Sequence, residues 1–192
     1  MQNSEIRAFF AIKIGGKCQS RIDTIQSDLQ KKIGQCYKWV KKDQLHLTLK
    51  FFPKLNPGDI SNILNDLEIE LKSIDPFELE ISGFGAFPNS KKPRVLWLGI
   101  NHPGELVFIN ETLQEVCGSY GYVKESRPFS PHLTIARIKK QTLFSQYKQI
   151  TDAITSINIE SICNINVKKI FLIRSSLTPE GPIYHELEKI GL

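Results

Sequence analysis

A short pattern that occurs twice limits what this chain can fold into. Residues 46–49 read His-Leu-Thr-Leu and residues 132–135 read His-Leu-Thr-Ile, and both copies lie in β-like runs. Because alternate side chains of a strand share a face, each histidine is predicted to point the same way as the threonine two residues later. If an approximate two-fold axis relates the two halves, the two histidines face each other across a cleft.

The hydrophobic pattern predicts strands and helices joined by short connections. Strands are predicted at residues 7–14, 37–52, 77–81, 95–100, 131–138, 167–175 and 183–189. Apolar stripes at helical spacing predict helices around residues 22–33, 60–74, 104–117 and 143–157. Pro53 is expected to end the second strand, and Gly83, Gly85 and Pro88 are expected to form a loop. The mixture favours one α+β unit with largely antiparallel pairing.

Composition excludes several classes of protein. Hydrophobic residues make up 41% and charged residues 23% of 192 residues, as in ordinary globular domains. The longest apolar run near the N-terminus, residues 8–12, is far shorter than the roughly 20 residues of a membrane span. We therefore expect a cytoplasmic protein that does not interact with membranes. Four scattered cysteines predict reduced thiols, and a net charge of +5 only mildly favours a polyanionic partner.

The repeated pattern suits hydrolysis of a phosphodiester. Imidazole titrates near pH 6.5, so that one histidine can accept a proton from water while the other donates one to the leaving oxygen. Threonine hydroxyls can donate hydrogen bonds to phosphate oxygens as negative charge develops on them. This chemistry requires neither a metal ion nor a cofactor, and we expect none.

Other interpretations of the histidines are weaker. A single His-x-Thr in a strand is usually a partly exposed histidine beside a β-favouring threonine, but two copies are harder to explain in that way. A zinc site on His46 and His132 lacks a nearby cysteine or carboxylate pair with the spacing of metal ligands. His102 is predicted to lie in a solvated turn, and His185 in a sheet.

The sequence resembles the RNA 2′,3′-cyclic phosphodiesterases, long called 2′-5′ RNA ligases, of the two-histidine (2H) phosphoesterase superfamily. The resemblance covers nearly the whole chain. It departs at Phe51-Phe52-Pro53, where Phe-Leu-Gly is usual in the family. Besides the two motifs, it is carried by residues 7–12, Gly83-x-Gly85-x-Phe87-Pro88, Pro93-Arg94-Val95-Leu96-Trp97, residues 127–137, Ser175-x-Leu177 and Gly181-x-x-Tyr184.

The resemblance implies two pseudo-symmetric lobes, each an antiparallel sheet backed by helices, around a central cleft. It implies that His46 protonates the leaving 3′ oxygen and that His132 activates water, which leaves a terminal 2′-phosphate. Thr48 and Thr134 would bind phosphate oxygens, and Arg137 would add positive charge near them.

Phe129 has two interpretations that the sequence does not separate, stacking on a base and packing in the core.

Two other functions are compatible with the sequence. The same site run in reverse, or on related linkages, would make the protein a 2′-5′ RNA ligase or another 2′-5′ or cyclic nucleotide phosphodiesterase. A non-catalytic RNA-binding module would use the basic residues 91–94 and Arg137, but would not need a facing pair of histidines. We expect a monomer that acts on RNA with a 2′,3′-cyclic phosphate end or on a small cyclic nucleotide.

Overall fold

The structure is a computed structural model that describes residues 4–101, 103–139, 146–156 and 159–192. His102 therefore lies outside the described residues, as do both ends of the fourth helix as predicted, Leu143 and Ile157. The strands are β1 Ile6–Lys13, β2 Tyr37–Trp39, β3 His46–Leu55, β4 Phe77–Phe87, β5 Val95–Asn101, β6 His132–Ile138, β7 Ser161–Val167, β8 Lys169–Thr178 and β9 Gly181–Gly191. The helices are α1 Gly16–Ile33, α2 Ile60–Glu70, α3 Gly104–Ser119 and α4 Gln146–Thr155.

The strands form an antiparallel sheet whose order is nearly symmetric about its middle. The order is β7-β4-β5-β6-β3-β1-β8-β9, and β2 pairs with the remaining part of β6. Strands β3 and β6, which carry the two motifs, meet at the centre where Leu47 lies opposite Leu133. Three strands extend outward from each of them, so the sheet consists of two lobes joined at the motifs. The predicted α+β fold with two antiparallel lobes is confirmed.

The helices connect the lobes by crossing between them. Helix α1 follows β1 in the chain but packs with α4 against the core of the β6 lobe, and α3 follows β5 but packs with α2 against the core of the β3 lobe. The leucines of the motifs are fully buried in these two cores, Leu133 in one and Leu47 in the other. Because each lobe is covered by a helix that starts from a strand of the other, the two lobes are interdependent. Within the described ranges, no helix has the length and apolarity needed to cross a membrane.

Strand β3 does not end at Pro53 as predicted but continues to Leu55. Its pairing with β1 is irregular at this point, since Ile6 lies opposite Leu55 while Ala8 lies opposite Phe52. Pro53 is exposed within this irregularity. A β-bulge tolerates proline because a residue there need not donate a hydrogen bond to the neighbouring strand.

The predicted loop at Gly83 and Gly85 is part of strand β4. Gly83 has a positive φ of 74° at a shift in the pairing of β4 with β5, a backbone conformation that glycine adopts without strain. Gly85 lies under the indole of Trp97, and a β-carbon there would come within 2.3 Å of that ring. Both glycines thus serve a strand rather than a loop.

Strand β7 was not predicted at all. Its exposed polar residues, such as Asn164 and Asn166, alternate with partly or fully buried ones. It forms one edge of the sheet, paired only with β4 in the described sheet. The terminal strands and the sheet position of His185, which lies opposite Arg174, agree with the prediction.

The cysteine prediction was wrong for one pair. Cys18 of α1 and Cys163 of β7 form a disulfide with their Cα atoms 5.6 Å apart. They are 145 residues apart in the chain and come together only because α1 packs on β7. Cys117 is a buried thiol, and burial raises its pKa to about 12, so that it stays protonated and unreactive at neutral pH.

Candidate active site

The four motif side chains converge on one face of the sheet. In both strands the leucine of the motif is buried, while the histidine and threonine on either side of it are at least partly accessible. Antiparallel pairing of Leu47 with Leu133 places His46 across from Thr134 and Thr48 across from His132. The structure therefore brings together the residues that the repeated pattern singled out.

These side chains share a small cavity between the lobes. It encloses about 150 Å³, and it is lined by His46, Thr48, His132 and Thr134 together with Arg137 and Tyr184, among others. A larger groove of about 770 Å³ shares Thr48 and His132 with this cavity as lining residues. A compact group such as a phosphate fits the small cavity, and the groove leaves room for the rest of a substrate.

Each imidazole is held by a backbone carbonyl two residues before it. The Nδ1 of His46 lies 2.7 Å from the oxygen of Gln44, and the Nδ1 of His132 lies 2.8 Å from the oxygen of Ser130. A carbonyl oxygen only accepts hydrogen bonds, so Nδ1 carries the proton in both rings. The Nε2 atoms are left to accept or donate a proton.

Aromatic side chains fix the planes of both imidazoles. The ring of Phe9 stacks on His46 at 4.7 Å, and Tyr184 meets its edge at 5.3 Å. Phe87 and Trp97 pack against His132 at 4.9 Å and 6.4 Å. Sequence reasoning assigned no role to these four aromatic residues. The signal that was available is that all four fall in stretches that carry the family resemblance.

Burial makes the pKa of His46 fall below its ordinary value of 6.5. Loss of solvation is the largest cause, the hydrogen bond to Gln44 opposes it, and the nearby positive charge of Arg137 lowers the pKa further. The neutral ring is therefore the favoured form of His46 in the free protein.

This pKa shift predicts that the protein loses stability at mildly acidic pH. The unfolded chain binds a proton on His46 at a higher pH than the folded protein does, so the stabilising contribution is present above about pH 6.5 and is lost as the pH falls through the folded pKa. Urea unfolding of the wild type and His46→Asn between pH 5 and 7.5 tests this. The variant should show a flatter pH dependence, whereas His185→Asn, at an exposed site, should behave like the wild type. Parallel curves for all three proteins would contradict it.

Arg137 reaches the cavity only because strand β6 is irregular. Strict alternation from Thr134 would place Ala136 toward the cleft and Arg137 toward the core. Instead Trp97 lies opposite Thr134 while Leu96 lies opposite Ala136, which leaves Ile135 as an extra residue in β6. Ile135 and Ala136 are both buried, and Arg137 returns to the face of the motif.

Phe129 lines the larger groove and also packs at the margin of the core of the β3 lobe. This position leaves both predicted roles open, since one face of a ring can pack while the other receives a ligand. Within the part of the chain that is described, no group of three or more histidine, cysteine, aspartate or glutamate side chains is arranged to hold a metal ion.

The fold and the paired motifs together define a two-histidine phosphoesterase. Comparison with known proteins agrees with this class. The family model described as the 2′-5′ RNA ligase superfamily matches residues 15–176, and the chain belongs to this superfamily, within the family of RNA 2′,3′-cyclic phosphodiesterases.

Curated relatives carry that family name. The RNA 2′,3′-cyclic phosphodiesterase of Methanothermobacter thermautotrophicus is 32% identical over 98% of this chain and 100% of its own length. The protein of the same name from Methanocaldococcus jannaschii is 33% identical over 96% of this chain and 99% of its own.

Solved structures share the fold. A protein of Thermus thermophilus is 26% identical with a TM-score of 0.79 and covers 97% of this chain and 98% of its own. LigT of E. coli is 23% identical with a TM-score of 0.74, with 98% of each chain covered.

Proposed function

We propose that this protein hydrolyses the 2′,3′-cyclic phosphate end of RNA to a 2′-phosphate end without a metal ion. The observation that carries the proposal is the convergence of both His-x-Thr motifs on one cavity at the Leu47–Leu133 junction. The names of the relatives agree with it, since they describe RNA 2′,3′-cyclic phosphodiesterases.

In this reaction one bond to phosphorus forms as another breaks. The Nε2 of His132 takes a proton from water, whose oxygen attacks the phosphorus atom. The bond from phosphorus to the 3′ oxygen breaks, and the Nε2 of His46 donates a proton to that oxygen. Thr48, Thr134 and Arg137 stabilise the negative charge that develops on the non-bridging oxygens.

The role of His46 as an acid requires a proton that burial disfavours in the free protein. The cyclic phosphate diester carries a negative charge, and an anion next to an imidazole raises its pKa. Binding of the substrate would therefore protonate His46 in the complex. The bound cyclic phosphate would thus generate the protonated form of His46 that acts on it.

The larger groove supports RNA as the substrate over a free cyclic nucleotide. It opens from Thr48 and His132 and is lined by Arg94, Arg127 and Phe129. Arg94 follows two exposed lysines, Lys91 and Lys92, so positive charge continues away from the cavity. A terminal base stacked on Phe129, with the preceding phosphates near these cations, would follow this path.

The decisive test is the identity of the product. An RNA oligonucleotide with a 2′,3′-cyclic phosphate end, incubated with the protein and excess EDTA, should yield only the 2′-phosphate end, as resolved by ³¹P NMR or by resistance to a 3′-phosphatase. A 3′-phosphate product, or loss of turnover in EDTA that added metal restores, would overturn the proposal.

A further inference from the structure

The irregularity that turns Arg137 into the cavity has a counterpart in the other lobe. In β3, Phe10 of β1 lies opposite Lys50 while Ala11 lies opposite Thr48, so Leu49 is an extra residue in the same way as Ile135 in β6. Leu49 and Ile135 occupy the same position in the two motifs. Both are followed by a second buried residue, Lys50 in one strand and Ala136 in the other.

At each bulge, a buried amide side chain from the covering helix donates to the carbonyl of the extra residue. From α1, the Nε2 of Gln26 lies 2.8 Å from the oxygen of Ile135 and 3.0 Å from that of Val40. From α3, the Nδ2 of Asn110 lies 2.8 Å from the oxygen of Leu49. Gln26 and Asn110 are 5% and 6% exposed, among mostly apolar buried residues of the two helices.

Gln26 does more than fill a hydrogen-bonding requirement. Val40 also donates its backbone N–H to the oxygen of Ile135 at 2.9 Å, so that this carbonyl has a partner without Gln26. The amide of Gln26 instead bridges the end of β2 to the bulge of β6, one residue from the point where the backbone turns Ala136 inward. It fixes the bulge from the side opposite the cavity.

We propose that Gln26 is a positioning residue for Arg137. By holding the carbonyl of Ile135, it keeps the bulge in place and so keeps the guanidinium of Arg137 on the face of His46 and Thr134. The inference rests on the proposed function, in which Arg137 binds the phosphate. Gln26 itself lies behind the sheet and touches no substrate.

The bulge in β3 supplies a matched control because it turns a different side chain. There the residue that returns to the cleft side is Phe51, which packs in the cluster of Phe9 and Tyr184 and lies under the guanidinium of Arg7 at 4.3 Å. Removing the amide of Asn110 therefore disturbs an equivalent bulge without moving Arg137.

The test is a double-mutant cycle on an RNA oligonucleotide with a 2′,3′-cyclic phosphate end. Gln26→Met keeps the length and apolar bulk of the side chain but removes the donors. It should lower kcat/KM by up to about 100-fold, the loss typical of a misplaced binding group. In an Arg137→Met background the same change should cost less than about twofold, because the group it positions is already gone. Asn110→Leu should lower kcat/KM to a similar extent with and without Arg137.

Several outcomes would overturn the inference. Full activity of a folded Gln26→Met protein, or an equal loss in the presence and absence of Arg137, would show that Gln26 is structural only. If Gln26→Met does not fold, Gln26→Asn keeps the amide but draws it back by one carbon, and the same coupling to Arg137 must appear. A wild-type protein that does not hydrolyse the cyclic phosphate contradicts the proposed function, whereas an active wild type without this coupling contradicts only the role of Gln26.

Discussion

Replacing either His46 or His132 by alanine should lower kcat on a cyclic-phosphate RNA end by about 10²- to 10⁴-fold, the usual contribution of a positioned acid or base. Both imidazoles line the same cavity. In each ring Nδ1 is hydrogen-bonded to a backbone carbonyl, so Nε2 is the nitrogen that transfers the proton, and alanine removes it. The double variant should be little slower than either single variant, because the two rings act in one step. Single-turnover kinetics of the three variants would measure this.

The control for the histidine variants is His185→Ala. His185 is exposed on β9, outside the lining of both cavities at the motifs, and its loss should leave the rate unchanged. Losses from the two active-site variants that simply multiply in the double variant would argue against a shared step.

The same variants decide between an enzyme and a non-catalytic RNA-binding module. If the protein is an enzyme, His46→Ala and His132→Ala should lose turnover but still bind RNA with a 2′-phosphate end. A protein that binds RNA and shows no turnover even as wild type would favour the binding module.

Removing the hydroxyl of Thr48 or Thr134 should have the second largest effect. Thr→Val keeps the shape and the preference for strands but deletes the hydrogen-bond donor, and loss of one preorganised donor to a developing oxyanion typically costs about 10²- to 10³-fold in kcat. Since the two threonines lie at equivalent positions across the Leu47–Leu133 junction, their single variants should lose similar amounts.

Thr→Ser is the matched control at each position, because it keeps the hydroxyl while losing only a methyl group. Both serine variants should retain most of the wild-type rate. If valine and serine reduce kcat equally, the threonines serve packing and not the stabilisation of charge.

Much of the fold could be predicted from local patterns. The helices α1 to α3 and most strands follow an apolar spacing that is visible within each segment, without knowledge of what that segment packs against. Strand β7 was not predicted because, as an edge strand, it carries polar residues that weaken its apolar pattern. The continuation of β3 through Pro53 was not predicted because it depends on an irregular pairing with β1. Pairing partners are far away in the chain, so local patterns do not report them.

The features of the site also divide into those that local patterns predict and those that long-range contacts decide. The sequence by itself determined that each histidine shares a face with the threonine two residues later, since alternation is a local property of a strand. The pairing of Leu47 with Leu133, far apart in the chain, brought the two motifs together. The family resemblance implied that Arg137 lies near them, but only the tertiary structure shows how it gets there, because the bulge at Ile135 reverses the alternation and is held by α1 and β2. The tertiary structure also gave His46 its partly buried ring and lowered pKa, and it joined Cys18 to Cys163. These features arise from contacts between segments that are distant in the chain, and no window of the sequence contains both partners.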